Sequence, residues 1–257
     1  MIAILLCAGF ATRMYPLTKN FPKPLLDVGG RPALDYLIDR IAGLRDLDSI
    51  YVVTNKRFFH DFLSWGEKKD AEITERGISL HVYNDGVENP EDRLGAVGDL
   101  GFLLDRIRDK TGALVAAGDN IFRFSLEPYW EKFLDDRRSY VFAVPTDDRE
   151  RIKRTGVLEM GPDKRVSAFH EKPAKPPSNL ACPAIYFLAP EALELTAGYL
   201  IRPDAGDEIG LFISYLVQRE KVYAFYNPGE AVDIGTIESY QHAKEIFGKE
   251  TADKRSE

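Results

Sequence analysis

The chain has 257 residues, with 34 Lys and Arg against 41 Asp and Glu, a net charge of -7 and 44% hydrophobic residues. A core of this size can bury roughly 70–75% of the surface of the unfolded chain, so neither a metal nor a disulfide is required for stability. Cys7 and Cys182 form no CxxC motif and no Cys/His cluster, which argues against a zinc site or a disulfide framework. The acidic surplus disfavours nucleic acid and anionic membranes as partners.

The N-terminal apolar run, residues 2–8, is too short for a membrane span and lacks the basic flank and cleavage pattern of a signal peptide. We therefore expect a cytoplasmic protein that is not exported. No internal repeat or low-complexity linker divides the chain. We predict one domain over residues 1–247 and a polar tail over residues 248–257 that is frayed.

The first half of the chain alternates short apolar runs with segments of helical periodicity. A long segment dense in Gly and Pro, residues 9–30, separates the first strand from the first helix and is predicted to be a functional loop. Strands are predicted at residues 2–6, 50–53, 78–82, 114–117 and 141–144, and helices at 34–42, 100–107 and 126–134. This alternation predicts a parallel or mixed sheet between layers of helices.

The second half begins with three successive strands and few helical residues. The strands are predicted at residues 156–160, 166–170 and 180–188, followed by helices at 191–197, 211–218 and 238–247 around a strand at 222–225. We therefore predict an α/β fold, a Rossmann-like three-layer sandwich. Its central sheet is mixed and mostly parallel, with a small antiparallel elaboration on the acceptor side of the site.

The loop after the first strand is a candidate phosphate site. Backbone N–H groups in a glycine-containing turn after a strand can bind phosphate oxygens, and Arg13 and Lys23 supply cations to the same anion. Two prolines, Pro22 and Pro24, restrict the backbone around Lys23. The pattern is neither Walker A nor GxGxxG, and glycines alone would indicate an ordinary loop. The combination of strand, loop and cations favours phosphate.

The residues from Cys7 to Pro16, with Thr18 and Pro22-Lys23-Pro24-Leu25, closely resemble the signature of the sugar-1-phosphate nucleotidylyltransferases, including the glucose-1-phosphate thymidylyltransferases. That signature reads Ala-Gly-x-Gly-Thr-Arg-Leu-x-Pro-x-Thr and then Pro-Lys-x-Leu. Ala11 stands where the family usually has Gly. The resemblance implies catalytic roles for Arg13, on the departing pyrophosphate, and Lys23, near the α-phosphate. It also implies that the nucleotide is bound by Ala8, Gly9, Ala11 and Thr12.

The resemblance extends to residue 247 and implies that the catalytic fold uses nearly all of the length, with no room for the C-terminal β-helix domain that some relatives carry. It also implies that the nucleobase is read by a region that includes Asn84 and Gly95.

Two short motifs carry candidate metal ligands. Asp119, in Gly118-Asp119-Asn120, follows an apolar run, and a carboxylate at the end of a sheet strand can hold Mg²⁺. Such a tripeptide is more often an ordinary turn, and Asp233 could equally cap the helix that follows it. The resemblance implies that Asp119 and Asp233 are the two metal carboxylates.

The acceptor side is the segment from Glu171-Lys172-Pro173 to Tyr186. Adjacent charges of this kind are usually solvated, and a tyrosine on an apolar strand usually belongs to the core. The resemblance implies that Glu171 binds sugar hydroxyls, that Lys172 binds the sugar phosphate and that Tyr186 lies near that phosphate. Gly156 would let the backbone approach the sugar. Two further substrate-binding positions are Asn120 and Cys182.

We therefore predict an enzyme that transfers a nucleotidyl group from an NTP to a sugar-1-phosphate with Mg²⁺, and that releases pyrophosphate. The first expectation is glucose-1-phosphate with dTTP or UTP. A cytidylyltransferase for phosphocholine or another non-sugar phosphate stays open, as does an inactive nucleotide-sugar-binding subunit. A glycosyltransferase ranks lower because Gly118-Asp119-Asn120 offers one Asp instead of Asp-x-Asp. No nucleic-acid or membrane partner is expected, and homo-oligomerisation is left open.

Overall fold

A computed structural model describes residues 1–108 and 110–253, with side chains described as far as residue 248. The helices are α1 (Ala33–Ile41), α2 (Phe59–Thr74), α3 (Gly95–Leu104), α4 (Glu127–Asp136), α5 (Arg149–Ile152), α6 (Pro190–Leu200), α7 (Ile209–Val217) and α8 (Ile237–Asp253). The strands of the first half are β1 (Ile2–Leu6), β2 (Asp27–Val28), β3 (Arg31–Pro32), β4 (Ser49–Thr54), β5 (Ser79–Asn84), β6 (Ala113–Ala117) and β7 (Asn120–Phe122). Those of the second half are β8 (Ser139–Pro145), β9 (Gly156–Met160), β10 (Val166–Glu171), β11 (Leu180–Cys182), β12 (Ile185–Leu188), β13 (Val222–Tyr226) and β14 (Ala231–Asp233).

A ten-stranded mixed sheet forms the centre of the molecule, as predicted. Strand β1 lies between β4 and β6 and is parallel to both, and β5 continues the parallel set beyond β4. Leu6 is in register with Val53 on one side and Ala117 on the other. The carboxyl ends of these strands therefore meet at one edge of the sheet, which is where open α/β folds bind ligands.

Alternate side chains of β1 are buried against the helices on opposite faces of the sheet, which explains why the strand is an uninterrupted apolar run in the sequence. Ala3 and Leu5 belong to the core cluster that also contains residues of α1, α2 and α4, whereas Ile2 and Ile4 belong to the cluster with residues of α3, α6 and α7. Successive side chains of a strand point to opposite faces, so a strand covered on both faces has no polar side. The predicted three-layer sandwich is confirmed.

The antiparallel strands of the second half are also present, with one difference from the sequence-based boundaries. The strand predicted over residues 180–188 is divided into β11 and β12, which separate at Pro183 and Ala184. Pro183 has no N–H for a strand ladder, and its carbonyl accepts a hydrogen bond from the Ile185 N–H at 2.7 Å. The break allows the two halves to pair with different strands on one side. On that side β11 pairs with β9 and β12 pairs with β6, and on the other side both pair with β8.

Several elements were not expected from the sequence. Helix α2 fills most of the interval between β4 and β5, and β7 forms a small separate sheet with β14. Helix α8 continues to Asp253, beyond the predicted end at residue 247, and residues 254–257 of the predicted tail lie outside the described residues. The division into a domain and a tail stays a prediction. In the part of the chain that the structure describes, no helix has the length and apolar character of a membrane span.

Candidate nucleotide and acceptor site

A cavity opens at the carboxyl edge of the parallel strands. Five residues that the sequence singled out line it, namely Ala8, Gly9, Ala11, Lys23 and Asp119. They come from the loop after β1 and from the turn after β6. The sheet therefore brings together segments that are far apart in the sequence, since Lys23 and Asp119 are separated by 96 positions.

The loop after β1 is held in place by three hydrogen bonds to its backbone. Asn55 Nδ2 donates to the Ala8 carbonyl at 2.9 Å, and Thr18 Oγ1 and the Met14 N–H donate to the Ala11 carbonyl at 2.8 and 2.9 Å. Ala11 has φ 49° and ψ 42°, the left-handed conformation. Residues with a Cβ rarely adopt that region, so the structure explains why glycine is usual here in the resembling family.

A single helical turn of the loop, Thr12–Met14, contains two of the predicted site residues. Met14 is buried, whereas Thr12 and Arg13 are exposed and do not line the cavity. The positive charge of Arg13 nevertheless lies close enough to Lys23 to act on its pKa. Arg13 is therefore at the rim of the site, where it can reach a ligand that extends out of the cavity.

Lys23 and Asp119 form an ion pair inside the cavity. Their side chains are 15% and 22% exposed. Burial opposes the charged form of Asp119, but the charge and hydrogen bond of Lys23 outweigh it and hold the pKa of Asp119 below its ordinary value. Burial likewise opposes the charge of Lys23, and Asp119 reverses that effect, so the pKa of Lys23 is raised. Both groups are charged at neutral pH.

Asp233 lies beside this pair through the small sheet of β7 and β14. Asp233 is in register with Asn120, and the Ile234 N–H donates to the Asp119 carbonyl at 3.2 Å. Asp233 is exposed by surface area, yet neighbouring atoms crowd its carboxyl group. Loss of hydration and the negative charge of Asp119 raise the pKa of Asp233. Asn120 Nδ2 donates to Asp119 Oδ1 at 3.0 Å, so its amide orients that carboxylate.

Two neighbouring carboxylates that repel one another suit a divalent cation with oxygen ligands. Mg²⁺ commonly binds through one or two carboxylates plus substrate phosphates. Among the described residues there is no cluster of three or more His, Cys, Asp or Glu that could hold a metal by itself. Asp119 and Asp233 therefore fit a metal that is completed by a phosphorylated substrate.

On the acceptor side, three predicted residues form a contiguous row across the antiparallel strands. Gly156 in β9 is in register with Glu171 in β10 and with Cys182 in β11. A Cβ on Gly156 would lie 2.4 Å from Phe169 Cζ, so glycine is needed for this packing. Cys182 and Tyr186 are only 2% and 3% exposed, and both join the core on that face. Of this row, Glu171 has the polar group suited to sugar hydroxyls.

Lys172 is surrounded by carboxylates. Its ammonium group lies 3.3 Å from Glu171 Oε1 and also contacts Glu208, which directly precedes α7. Burial lowers the pKa of Lys172, but the two carboxylates outweigh that effect and the pKa is raised. No sequence motif points to Glu208, because its proximity to Lys172 arises only when α7 packs on β10.

Asn84 and Gly95, the predicted nucleobase residues, contact other parts of the protein and are not in the cavity lining. Asn84 Oδ1 accepts a hydrogen bond from the Gly86 N–H at 2.8 Å, and Gly95, at φ +76°, packs against Asp207. Neither residue lines the cavity, whereas Asp85 and Asp99 do. Asp99 could have been noticed as the one charged residue in the apolar sequence of α3.

The acceptor and nucleotide sides are connected by the segment before α7. Arg93 pairs with Asp207 at 2.9 Å, the Val97 N–H donates to the Asp207 carbonyl at 3.3 Å, and Ile209 lines the cavity. Glu208, the neighbour of Asp207, contacts Lys172. One short segment therefore contacts both sides of the site.

A loop with a lysine beside two carboxylates, at the carboxyl edge of an open α/β sheet, is an arrangement typical of α/β proteins that bind phosphorylated ligands. The chain belongs to the nucleotidyl transferase family, whose model matches residues 2–250. The resemblance noted in the sequence is therefore confirmed at the level of the family.

Individual relatives agree with this assignment. The bifunctional protein GlmU of Methanocaldococcus jannaschii is 27% identical over 241 residues, which cover 91% of this chain and 51% of GlmU. The chain thus spans about half the length of that relative. The UTP–glucose-1-phosphate uridylyltransferase AglF of Haloferax volcanii is 27% identical over 254 residues, 98% of each chain. A solved structure from Bacillus anthracis, assigned as a glucose-1-phosphate thymidylyltransferase, has a TM-score of 0.82 and 25% identity, with 96% of each chain covered.

Proposed function

We propose that this protein transfers a nucleotidyl group from an NTP to a sugar-1-phosphate and releases pyrophosphate. The observation that carries the proposal is the contact of Lys23 with Asp119 inside the cavity, with Asp233 beside them and Lys172 on the acceptor side. Two phosphorylated substrates repel one another, so their reaction needs positive charge at the site. Lys23 and Lys172 would supply it directly, and Asp119 and Asp233 would supply it through a bound Mg²⁺.

In this reaction an oxygen of the sugar phosphate attacks the α-phosphorus of the NTP. The new bond joins that oxygen to the α-phosphorus, and the bond from the α-phosphorus to the bridging oxygen of the β-phosphate breaks. The attacking oxygen is already anionic, so no base has to remove a proton. The protein then contributes mainly by orientation and by charge neutralisation.

The charged side chains that the sequence motifs identified each have a part in this scheme. Lys23, held by its pairing with Asp119, binds the α-phosphate region, and Arg13, exposed at the rim, binds the pyrophosphate as it leaves. Lys172 holds the acceptor phosphate, and Glu171, whose side chain is 9% exposed, accepts hydrogen bonds from sugar hydroxyls. Asp119 and Asp233 would hold Mg²⁺, which supplies charge neutralisation at the phosphates when bound.

Glucose-1-phosphate is the proposed acceptor. AglF and the Bacillus anthracis protein are named for transfer to glucose-1-phosphate, one as a uridylyltransferase and the other as a thymidylyltransferase. The named acceptor is the same while the named base differs. The acceptor is therefore the better supported of the two substrates.

Pyrophosphate release tests the proposal. Each of ATP, CTP, GTP, UTP and dTTP is incubated with Mg²⁺ and with glucose-1-phosphate, other sugar-1-phosphates or phosphocholine. We expect release that depends on a sugar-1-phosphate. Release with phosphocholine alone would identify the non-sugar cytidylyltransferase, and binding of nucleotide without release on any combination would identify the inactive subunit.

Two variants connect the activity to the site. Lys23→Ala and Asp233→Asn should each lower kcat/KM by roughly a hundredfold or more, because each removes a charge next to the reacting phosphates. Lys19→Ala is the matched control, since Lys19 is an exposed lysine of the same loop. Near-normal activity in the Lys23 or Asp233 variant would overturn the assignment of these residues. Circular dichroism of all three variants checks the fold.

A further inference from the structure

Two acidic residues of the cavity have no part in the phosphate chemistry. Asp85 directly follows β5 and Asp99 lies in α3, and both line the cavity wall. Asp99 is 5% exposed, and its Oδ1 atom is buried without a hydrogen-bond donor among the described residues. An acceptor left without a donor in a cavity wall is costly unless a ligand supplies one.

The two carboxyl groups interact directly. Asp85 acts on Asp99 both as a neighbouring charge and as a hydrogen-bond partner, and two carboxyl groups can share a hydrogen bond only when one of them is protonated. Burial, and then repulsion by Asp85, raise the pKa of Asp99 to about 8. Asp85 Oδ1 accepts a hydrogen bond from the Val87 N–H at 2.8 Å, while Arg93 on the same wall is paired with Asp207. The pair therefore has more acceptor oxygens than protons to share.

Apart from the two acids and the paired Arg93, the neighbouring cavity lining is apolar or backbone. Cys7, Ala8 and Gly9 line it from the loop after β1, and Leu94 and Ala96 line it from the start of α3. Such walls suit a flat ring, and the acidic pair suits an edge of that ring that donates hydrogen bonds. If the α-phosphate lies at Lys23, as proposed above, this is the part of the same cavity left for the nucleobase.

We propose that the Asp85–Asp99 pair reads the hydrogen-bonding edge of the nucleobase and favours bases with an exocyclic amino group, namely adenine, cytosine and guanine. On that edge guanine has three N–H bonds, and adenine and cytosine have two N–H bonds next to a ring nitrogen that can take the shared proton. Uracil and thymine have only one N–H on this edge, flanked by two carbonyl oxygens, so they give the pair fewer donors, and the shared proton can satisfy only one of the two carbonyl oxygens. Carboxylates likewise accept hydrogen bonds from the cytosine amino group in nucleic-acid recognition.

This inference rests on the proposed function and differs from the first expectation of dTTP or UTP. It assigns the choice of base to Asp85 and Asp99, which lie in the predicted nucleobase region but are not among its predicted site residues, Asn84 and Gly95. Hydrogen bonds to charged groups are strong enough to change affinity by roughly ten- to a hundredfold. The preference should therefore be easily measured.

The test compares kcat/KM for ATP, CTP, GTP, UTP and dTTP with glucose-1-phosphate in the wild type, Asp99→Asn and Asp85→Asn. Asp92→Asn is the control, because Asp92 is exposed on the same segment and is absent from the cavity lining. We expect the best amino-bearing substrate to exceed UTP and dTTP by about tenfold or more. That ratio should fall at least severalfold in the Asp99 and Asp85 variants and stay unchanged in the control.

Calorimetric binding of the same five nucleotides separates this inference from the proposed function. If no nucleotide is transferred to any acceptor, the proposed function fails, and tighter binding of ATP, CTP or GTP than of UTP and dTTP still supports the inference. Equal or better use or binding of UTP or dTTP by the wild type would overturn it. A preference that both Asp variants retain would overturn the assignment to this pair. Asp85 is only partly buried, so its variant serves if the Asp99 variant does not fold.

Discussion

The ammonium group of Lys172, which directly follows β10, contacts the carboxylate of Glu208, which directly precedes α7. Glu171 Oε1 also lies 3.3 Å from the Lys172 ammonium nitrogen. The lysine proposed to hold the acceptor phosphate is therefore shared between two carboxylates of the protein. A phosphate that binds there must compete with Glu208, whose side chain is 40% exposed and can move away.

We predict that Glu208→Gln lowers KM for the sugar-1-phosphate by roughly two- to tenfold and leaves kcat within about twofold. The substitution removes a negative charge that competes with the phosphate, and a partly exposed ion pair of this kind contributes modestly. Steady-state kinetics with varied sugar-1-phosphate measures the change. Glu191→Gln, at an exposed position of α6, is the control. A higher KM in the Glu208 variant would show that Glu208 helps to hold the acceptor.

The Asp85–Asp99 pair predicts how the free energy of unfolding depends on pH. The pKa of Asp99 is raised from 3.8 to about 8, first by burial and then by Asp85. Between those values the native state keeps a proton that the unfolded chain has released, so stability from this group is full at low pH and declines as pH rises towards 8. The decline is at most about 1.4 kcal/mol per pH unit for one proton.

Asp99→Asn should remove this decline. Urea denaturation at several pH values from 5 to 8.5 measures it, and the stability of the variant relative to the wild type should rise with pH. Asp92→Asn controls for the change in net charge. A constant difference between the Asp99 variant and the wild type across this range would contradict the shared proton.

The left-handed conformation of Ala11 predicts a stabilising substitution. Ala11→Gly removes the Cβ from a residue at φ 49°, which gains about 1–2 kcal/mol, and the greater freedom of glycine in the unfolded chain offsets part of that gain. We expect a net increase in the free energy of unfolding of about 0.5–1 kcal/mol. Ala42→Gly, at the right-handed end of α1, should lower it instead. A loss of stability in the Ala11 variant would contradict the strain.

Much of the fold could be predicted because its signals are local. The residues of β1 bury on both faces, and that leaves an uninterrupted apolar run in the sequence. The Gly and Pro residues after it prevent a continuous helix, and the structure has only short helical turns there. Lys23 and Asp119 were found because each stands in a short motif. Lys23 follows β1 and Asp119 follows β6. Because β1 and β6 are parallel neighbours, the two side chains come into contact at the same edge of the sheet.

Other features depend on distant parts of the chain and leave little local signal. Helix α2 buries only Phe62, Trp65, Gly66 and Ile73 among many charged residues, so its apolar face is sparse in the sequence. Asp85 and Asp99 meet only when α3 packs beside the ends of the parallel strands. Glu208 reaches Lys172 only when α7 lies against β10. Contacts of this kind are fixed by the tertiary structure.

The central claim is nucleotidyl transfer, and ³¹P NMR of the reaction mixture tests it most directly. With Mg²⁺, glucose-1-phosphate and the NTP that the protein uses best, we expect pyrophosphate and a sugar-linked diphosphate to form in equal amounts while both substrates disappear. Lys23→Ala should slow both products together by roughly a hundredfold or more. Formation of inorganic phosphate and NDP, of NMP without a sugar diphosphate, or of no product with any NTP and sugar-1-phosphate would contradict the claim.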